Sequence, residues 1–68
     1  MKITIGVTQS GRFSPQVINM ASEFFGVVNK RKKGDRILWI TFPSKKMAKE
    51  FSQALILPCV DKDNKIFK

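Results

Sequence analysis

Lys30, Arg31, Lys32, Lys33 and Arg36 fall within seven consecutive positions, and Lys45, Lys46 and Lys49 follow close behind. Only Asp35 and Glu50 lie in or beside that stretch to offset these eight cations. Ammonium and guanidinium groups at this density do one kind of chemistry well, which is to bind phosphate. The densest part sits between two short apolar runs, Val27-Val28 and Ile37-Leu38-Trp39-Ile40. That is the pattern of a β-hairpin with a cationic tip, turning near Lys32-Lys33-Gly34-Asp35. Two readings of the tip compete. It is either a solvated turn that keeps a small domain in solution, or a phosphate clamp laid along a groove. Lys45, Lys46 and Lys49 begin just after the returning strand, and Lys2 falls on a strand that can neighbour it. That convergence favours the clamp.

Trp39 is the second candidate. On strand parity it faces away from Leu38, Ile40 and Phe42, together with Ile37 and Thr41. An exposed indole on an open sheet can stack on a base, worth roughly 1–3 kcal/mol. It can equally anchor a partner protein, or pack under the C-terminal tail.

Little else in the chain suits catalysis. It has neither histidine nor tyrosine, and its five acids, Glu23, Asp35, Glu50, Asp61 and Asp63, are scattered. Asp61-Lys62-Asp63-Asn64 starts like a calcium loop, but Lys65 stands where a ligand is needed and the loop glycine is missing. It reads as a plain turn. Cys59 follows Pro58, has no histidine partner and reads as a small buried apolar residue. One thiol and a few carboxylates do not make a zinc site. Gln9-Ser10-Gly11-Arg12 lacks the glycine spacing and the Gly-Lys-Ser/Thr ending of a phosphate loop. No enzyme and no cofactor are expected.

These groups must be positioned by a small frame. With 68 residues and a formal charge of +8, the chain is one basic domain, residues 1–68, whose natural partners are polyanions. A single cysteine forms no internal disulfide and suits a reducing interior. No apolar run approaches the roughly 20 residues of a membrane span. Met1-Lys2-Ile3-Thr4-Ile5-Gly6 begins as a strand and not as a signal peptide. An intracellular place, cytoplasm or organelle matrix, is therefore expected, with no membrane partner.

Lys2 to Thr8 alternates, with Ile3, Ile5 and Val7 on one face and Lys2, Thr4, Gly6 and Thr8 on the other. Ser14-Pro15 opens a helix, with Ser14 as N-cap and Phe13 and Ile18 spaced as a hydrophobic staple. Val17, Met20, Ala21, Phe24 and Phe25 form its apolar stripe, and Gly26 is expected to end it in the left-handed conformation. Val27 to Arg31 and Arg36 to Phe42 are the hairpin strands, and Pro43 stops the second. Ser44 caps a second helix with Met47, Ala48, Phe51, Ala54 and Leu55 as its stripe. Phe24, Phe25 and Phe51 are expected in the core. A short strand at Lys65-Ile66-Phe67 would complete the order. The class is α+β: a small antiparallel-leaning sheet, β-α-β-β-α with that possible last strand, and two helices on one face. Lys2, Thr4, Trp39 and Thr41 would decorate the open face.

Two family resemblances bear on these residues. A strand ending in Val7-Thr8-Gln9 leads to a helix ending in Glu23-Phe24-Phe25-Gly26. A Lys/Arg-rich hairpin follows, and then a strand running into Ser44-Lys45-Lys46. From Ile3 to Leu57 this resembles part of a LAGLIDADG homing endonuclease repeat. In that family the open face of the sheet meets the DNA major groove. The LAGLIDADG helix and the first strand have no counterpart here, so no catalytic residue carries over. The resemblance implies a DNA-binding remnant with an incomplete sheet edge for a partner to cover. The rival resemblance is to an RNA-recognition motif, also β-α-β-β-α-β. Arg36 to Phe42 looks like its third strand, with Trp39 at a stacking position, whereas Thr4 and Ile37 stand where aromatics are expected.

Both resemblances put nucleic acid on the face away from the helices. The expected function is a non-catalytic nucleic-acid-binding module, suited to an RNA-binding role in a large ribonucleoprotein such as a ribosome. Its contacts are Lys30, Arg31, Lys32, Lys33 and Arg36 on phosphate, Lys2, Trp39 and Thr41 on the sheet, and Lys45, Lys46 and Lys49 as a second cationic edge. The competing expectation is a small protein-interaction module, an inhibitor or accessory subunit, anchored by Trp39 and Ile37.

Overall fold

The computed structural model describes residues 1–8, 15–30, 36–55 and 57–67. Its elements run β1 (Ile3–Val7), α1 (Pro15–Glu23), β2 (Val27–Val28), β3 (Leu38–Phe42), α2 (Lys45–Ala54) and β4 (Cys59–Val60). The polar turn at Gln9 to Arg12, the Phe13 staple, the Ser14 cap and the hairpin tip from Arg31 to Asp35 lie outside the described residues.

The four strands form one sheet in the order β2-β3-β1-β4, and every pairing is antiparallel. β1 and β2 both run against β3, which lies between them. β3 and β4 both run against β1, which lies between those two. The chain is therefore two split β-α-β units interleaved in a single sheet. Each helix is the connection that carries the chain over one face from a strand to its parallel mate. The α+β class read from periodicity is the class observed.

Strand parity decides which face the helices cover. Ile5 and Val7 of β1 and Leu38, Ile40 and Phe42 of β3 are buried with Val17 and Ala21 of α1 and Ala48 and Phe51 of α2. Phe51 is the centre of the aromatic packing: its ring lies 5.1 Å from that of Phe42 and meets Phe24 edge-on at 6.4 Å. Ser44 caps α2 as expected, its Oγ accepting from the Met47 N–H at 3.3 Å. Ala54, expected on the α2 stripe, is exposed, whereas Leu55 is buried just past the helix end. Among the described residues no helix is long and apolar enough to cross a membrane.

The end of α1 differs from the expectation. The left-handed residue is Phe25, with φ 63°, and not Gly26. The Gly26 N–H reaches the Ala21 carbonyl at 2.8 Å and the Phe25 N–H the Ser22 carbonyl at 3.0 Å. These two bonds make a Schellman motif with Phe25 in the position that glycine normally fills. Gly26 serves a different need. A Cβ there would come within 2.7 Å of Phe42 Cε1 and 2.8 Å of Ile40 Cγ2, so the missing side chain lets the backbone lie directly on the core. Phe25 is consequently turned outward and 70% exposed, which removes it from the expected core.

The tail also differs. Its paired strand is Cys59–Val60, ahead of the turn and not after it. Asp61 Oδ1 accepts from the backbone N–H groups of Asp63 and Lys65, and Asn64 takes φ 62° to close the turn. Ile66 then bridges back to Val60, and the Phe67 N–H donates to the Cys59 carbonyl. β4 thus pairs with β1 on the side away from β3 and forms one edge of the sheet, with β2 at the other.

Candidate nucleic-acid interface

The hairpin strands are shorter than expected. β2 is Val27–Val28 alone, extended by one bond in which the Asn29 N–H donates to the Trp39 carbonyl at 2.9 Å. Arg36 and Ile37 precede β3 and do not belong to it. The register nevertheless places the expected residues on the open face. Val27 pairs with Thr41, Thr41 with Thr4, Trp39 with Gly6, and Gly6 with Val60. Two rows of side chains therefore cross the face away from the helices.

Trp39 is half-buried, and Gly6 explains why. A Cβ at Gly6 would lie 2.9 Å from Trp39 Cζ3 and 3.0 Å from Cε3, and would also collide with Ile37. The indole rests on bare backbone, with Ile37 packed beside it. A strand glycine with no side chain of its own is covered in this way by its cross-strand aromatic neighbour. That contact and Ile37 account for the buried part of the ring, and the rest of it is exposed on the open face.

Thr41 is less available than its position suggests. Its hydroxyl donates to Asn29 Oδ1 at 2.8 Å, so the 2.9 Å contact with Thr4 Oγ1 is one in which Thr4 donates and Thr41 accepts. This chain of hydroxyls ties β1 to β3 and β3 to the end of β2, and it leaves the Asn29 Nδ2 turned away from Thr41. Asn29 was not among the sequence candidates. Pairing Val27 with Thr41 is enough to find it, because positions 27 and 29 then share the parity of 39 and 41.

The cations divide into three places. Lys30 and Arg36 are exposed at the Leu38 end of β3, where the chain enters and leaves the hairpin tip. Arg31, Lys32 and Lys33 lie outside the described residues. Lys2 is exposed at the opposite end, beside Thr4, Thr41 and Pro43. From Arg36 to Pro43 the chain advances seven residues, or roughly 20 Å at strand rise. Lys45, Lys46 and Lys49 are exposed on α2, whose buried residues Ala48 and Phe51 face the core side of the sheet. They stand on the helix layer and not on the open face. The expected convergence on one spot is corrected to a face flanked at both ends, with a separate patch behind it.

Two clefts adjoin Lys2. One, of about 260 Å³, is lined by Lys2, Ile3, Thr4, Asp61, Lys62 and Asp63. The other, of about 320 Å³, lies toward β2 and is lined by Lys2, Phe25, Val27, Thr41, Phe42 and Pro43. The first balances two carboxylates with Lys2 and Lys62, and the second has Lys2 and no carboxylate, so the cleft toward β2 is the more positive of the two.

The remaining titratable group of note is Cys59. It is 4% exposed, and burial pushes its thiol up from 9.0 to about 11. Its Sγ lies 3.7 Å from the Leu57 carbonyl as a weak donor. It is a protonated core side chain facing away from the open surface, paired through its backbone with Val7.

Compared with protein-family models, with curated proteins and with solved structures, the chain matches none of them. What its own geometry defines is a two-layer α+β domain with an uncovered antiparallel face, one aromatic ring laid on that face, and cations at either end.

Proposed function

We propose that this chain is a non-catalytic nucleic-acid-binding module that holds RNA on its open sheet face and grips phosphates with the hairpin. The observation that supports this best is the placement of Trp39. Its ring packs against Gly6 between Lys2 at one end of the face and Lys30 and Arg36 at the other. A strand crossing the face would meet a cation, a stacking surface and further cations in turn. Both resemblances drawn from the sequence imply a nucleic acid on this face, DNA for one and RNA for the other. A +8 chain without a disulfide suits residence in a large intracellular ribonucleoprotein, where RNA neutralises the charge.

The test is fluorescence-anisotropy binding of a structured RNA, a single-stranded RNA and a duplex DNA across a salt series. Six cations, Lys2, Lys30, Arg31, Lys32, Lys33 and Arg36, engaged on single-stranded phosphates give a log–log salt slope of about −4. Replacing Lys30 and Arg36 with Gln removes two of them and lowers affinity about tenfold at 0.15 M salt. The same change at Lys45, Lys46 and Lys49 costs far less, because those side chains belong to the helix layer. Weak binding of all three probes at low salt would sink the proposal and direct attention to a protein partner on the Trp39 face.

A further inference from the structure

Phe25 breaks two local rules at once. It takes the left-handed conformation that favours glycine, and it exposes most of an aromatic ring. The backbone strain offsets what little burial the ring retains. The ring does, however, form one wall of the roughly 320 Å³ cleft with Val27 and Pro43, above Phe42 and Thr41, with Lys2 at its mouth. That volume lies at the lower end of the range for ligand sites, which suits one flat ring and not an extended chain.

We propose that this cleft takes an unpaired base of a single-stranded RNA, stacked on Phe25, with Lys2 on the adjoining phosphate. The inference rests on the nucleic-acid reading above and adds to it the class of RNA and the subsite. Charge selects the occupant: the chain is strongly basic and this cleft contains a cation and no carboxylate, whereas in the other cleft Asp61 and Asp63 offset Lys2 and Lys62. The cleft also continues the Thr4–Thr41 row of the open face, so a strand that passes Trp39 reaches it without leaving the surface.

The experiment uses the full chain, a fluorescein-labelled twelve-residue oligouridine and a fully paired RNA duplex of equal length. Phe25→Gly relieves the backbone and removes the ring, and Val27→Thr changes an apolar wall while keeping the shape of the strand residue. Circular dichroism confirms that each variant is folded. Phe25→Gly is expected to weaken oligouridine binding about 5- to 150-fold, the range for losing one stacked base, and to leave duplex binding unchanged. Val27→Thr is expected to act in the same direction and less strongly. If both variants bind oligouridine as the parent does, an apolar group of another kind fills the cleft and the base proposal is overturned, while the nucleic-acid reading stands on the parent's own affinity. If the parent binds neither RNA, both fall together. An equal loss on single strand and duplex would also overturn the subsite, since paired bases are not available to enter it.

Discussion

Replacing Phe25 with glycine should leave the stability of this domain nearly unchanged, although helical periodicity places the residue in the core. Three contributions decide the balance. A left-handed L-residue costs about 1–2 kcal/mol, which glycine recovers. Glycine loses about 0.5–1 kcal/mol through the greater freedom of the unfolded chain. The Phe25 ring is 70% exposed, so the remaining burial is near a third of the about 1.5–3 kcal/mol for a fully buried side chain, or about 0.5–0.9 kcal/mol. The net effect lies within about 1 kcal/mol of zero, or within about 4–8 °C in melting temperature for a domain of this size. A phenylalanine truncated in the core instead costs about 3–5 kcal/mol, which would unfold much of so small a protein. Phe25→Ala completes the comparison. It loses the same burial but keeps a Cβ at φ 63°, so it should be less stable than Phe25→Gly by an amount of the order of 1 kcal/mol. Urea denaturation of the three proteins measures both differences. A loss above about 2 kcal/mol for Phe25→Gly, or alanine equal to or better than glycine, would refute the Schellman geometry at this position.

Other changes probe the rest of the frame. Gly6→Ala drives a methyl group into Trp39 and Ile37 and should cost about 1–3 kcal/mol, with a shift in tryptophan emission as the ring is displaced; an unshifted spectrum and full stability would mean that the indole does not rest on the strand. Lys45 stands in the first turn of α2, where no acid answers the positive end of the helix, so Lys45→Glu should raise stability by about 0.5–1 kcal/mol at low salt, and the gain should shrink as salt is added. Cys59 sets an alkaline limit. Its folded thiol titrates near 11 and the unfolded one near 9.0, so the unfolded state sheds its proton first and the stability present below pH 9 is lost as pH rises toward 11. At pH 10.5 the parent should have lost about 2 kcal/mol relative to its own value at pH 8, a loss that Cys59→Ala does not show.

The alternation of β1 and β3, the Ser44 cap and the Phe51 stripe were legible from residue spacing because each is a local pattern with one physical solution. The order β-α-β-β-α followed from them. The misreadings have a common cause: each turned on a contact between residues distant in the chain. Gly26 looked like a helix terminator, yet Phe42 and Ile40 need its bare Cα, and that demand moved the left-handed position back to Phe25. Gly6 looked like an ordinary solvent-side residue, and only the pairing with Trp39 gives it a role. Cys59–Val60 is too short to show a period and is a strand only because β1 offers an edge. At the interface, strand parity put Trp39, Thr41 and Lys2 on the open face. It carried no information on whether α2 turns Lys45, Lys46 and Lys49 toward that face or behind it.

The charges around the open face are not symmetrical, and on the proposed reading the asymmetry would favour one path for a bound strand. Beyond β1, the β4 turn brings Asp61, Lys62 and Asp63 beside Lys2 and Thr4, a mixed-charge site. Beyond β3, the edge is formed by Val27, Asn29 and the exposed Lys30, with no carboxylate in the adjoining cleft. A polyanion laid straight across the four strands would meet these two carboxylates at the β4 edge, offset by Lys2 and Lys62. One laid along β3, from Arg36 past Trp39 to the Phe25 cleft, would have Arg36 at one end and Lys2 at the other, with no carboxylate lining that cleft. The polar chain from Thr4 through Thr41 to Asn29 fixes β3 between its neighbours along this same path. Trp39 packs on Gly6 and Phe25 is fixed by its helix end, so on the proposed reading both rings would be in place before a strand arrived, and little ordering cost would fall on the protein.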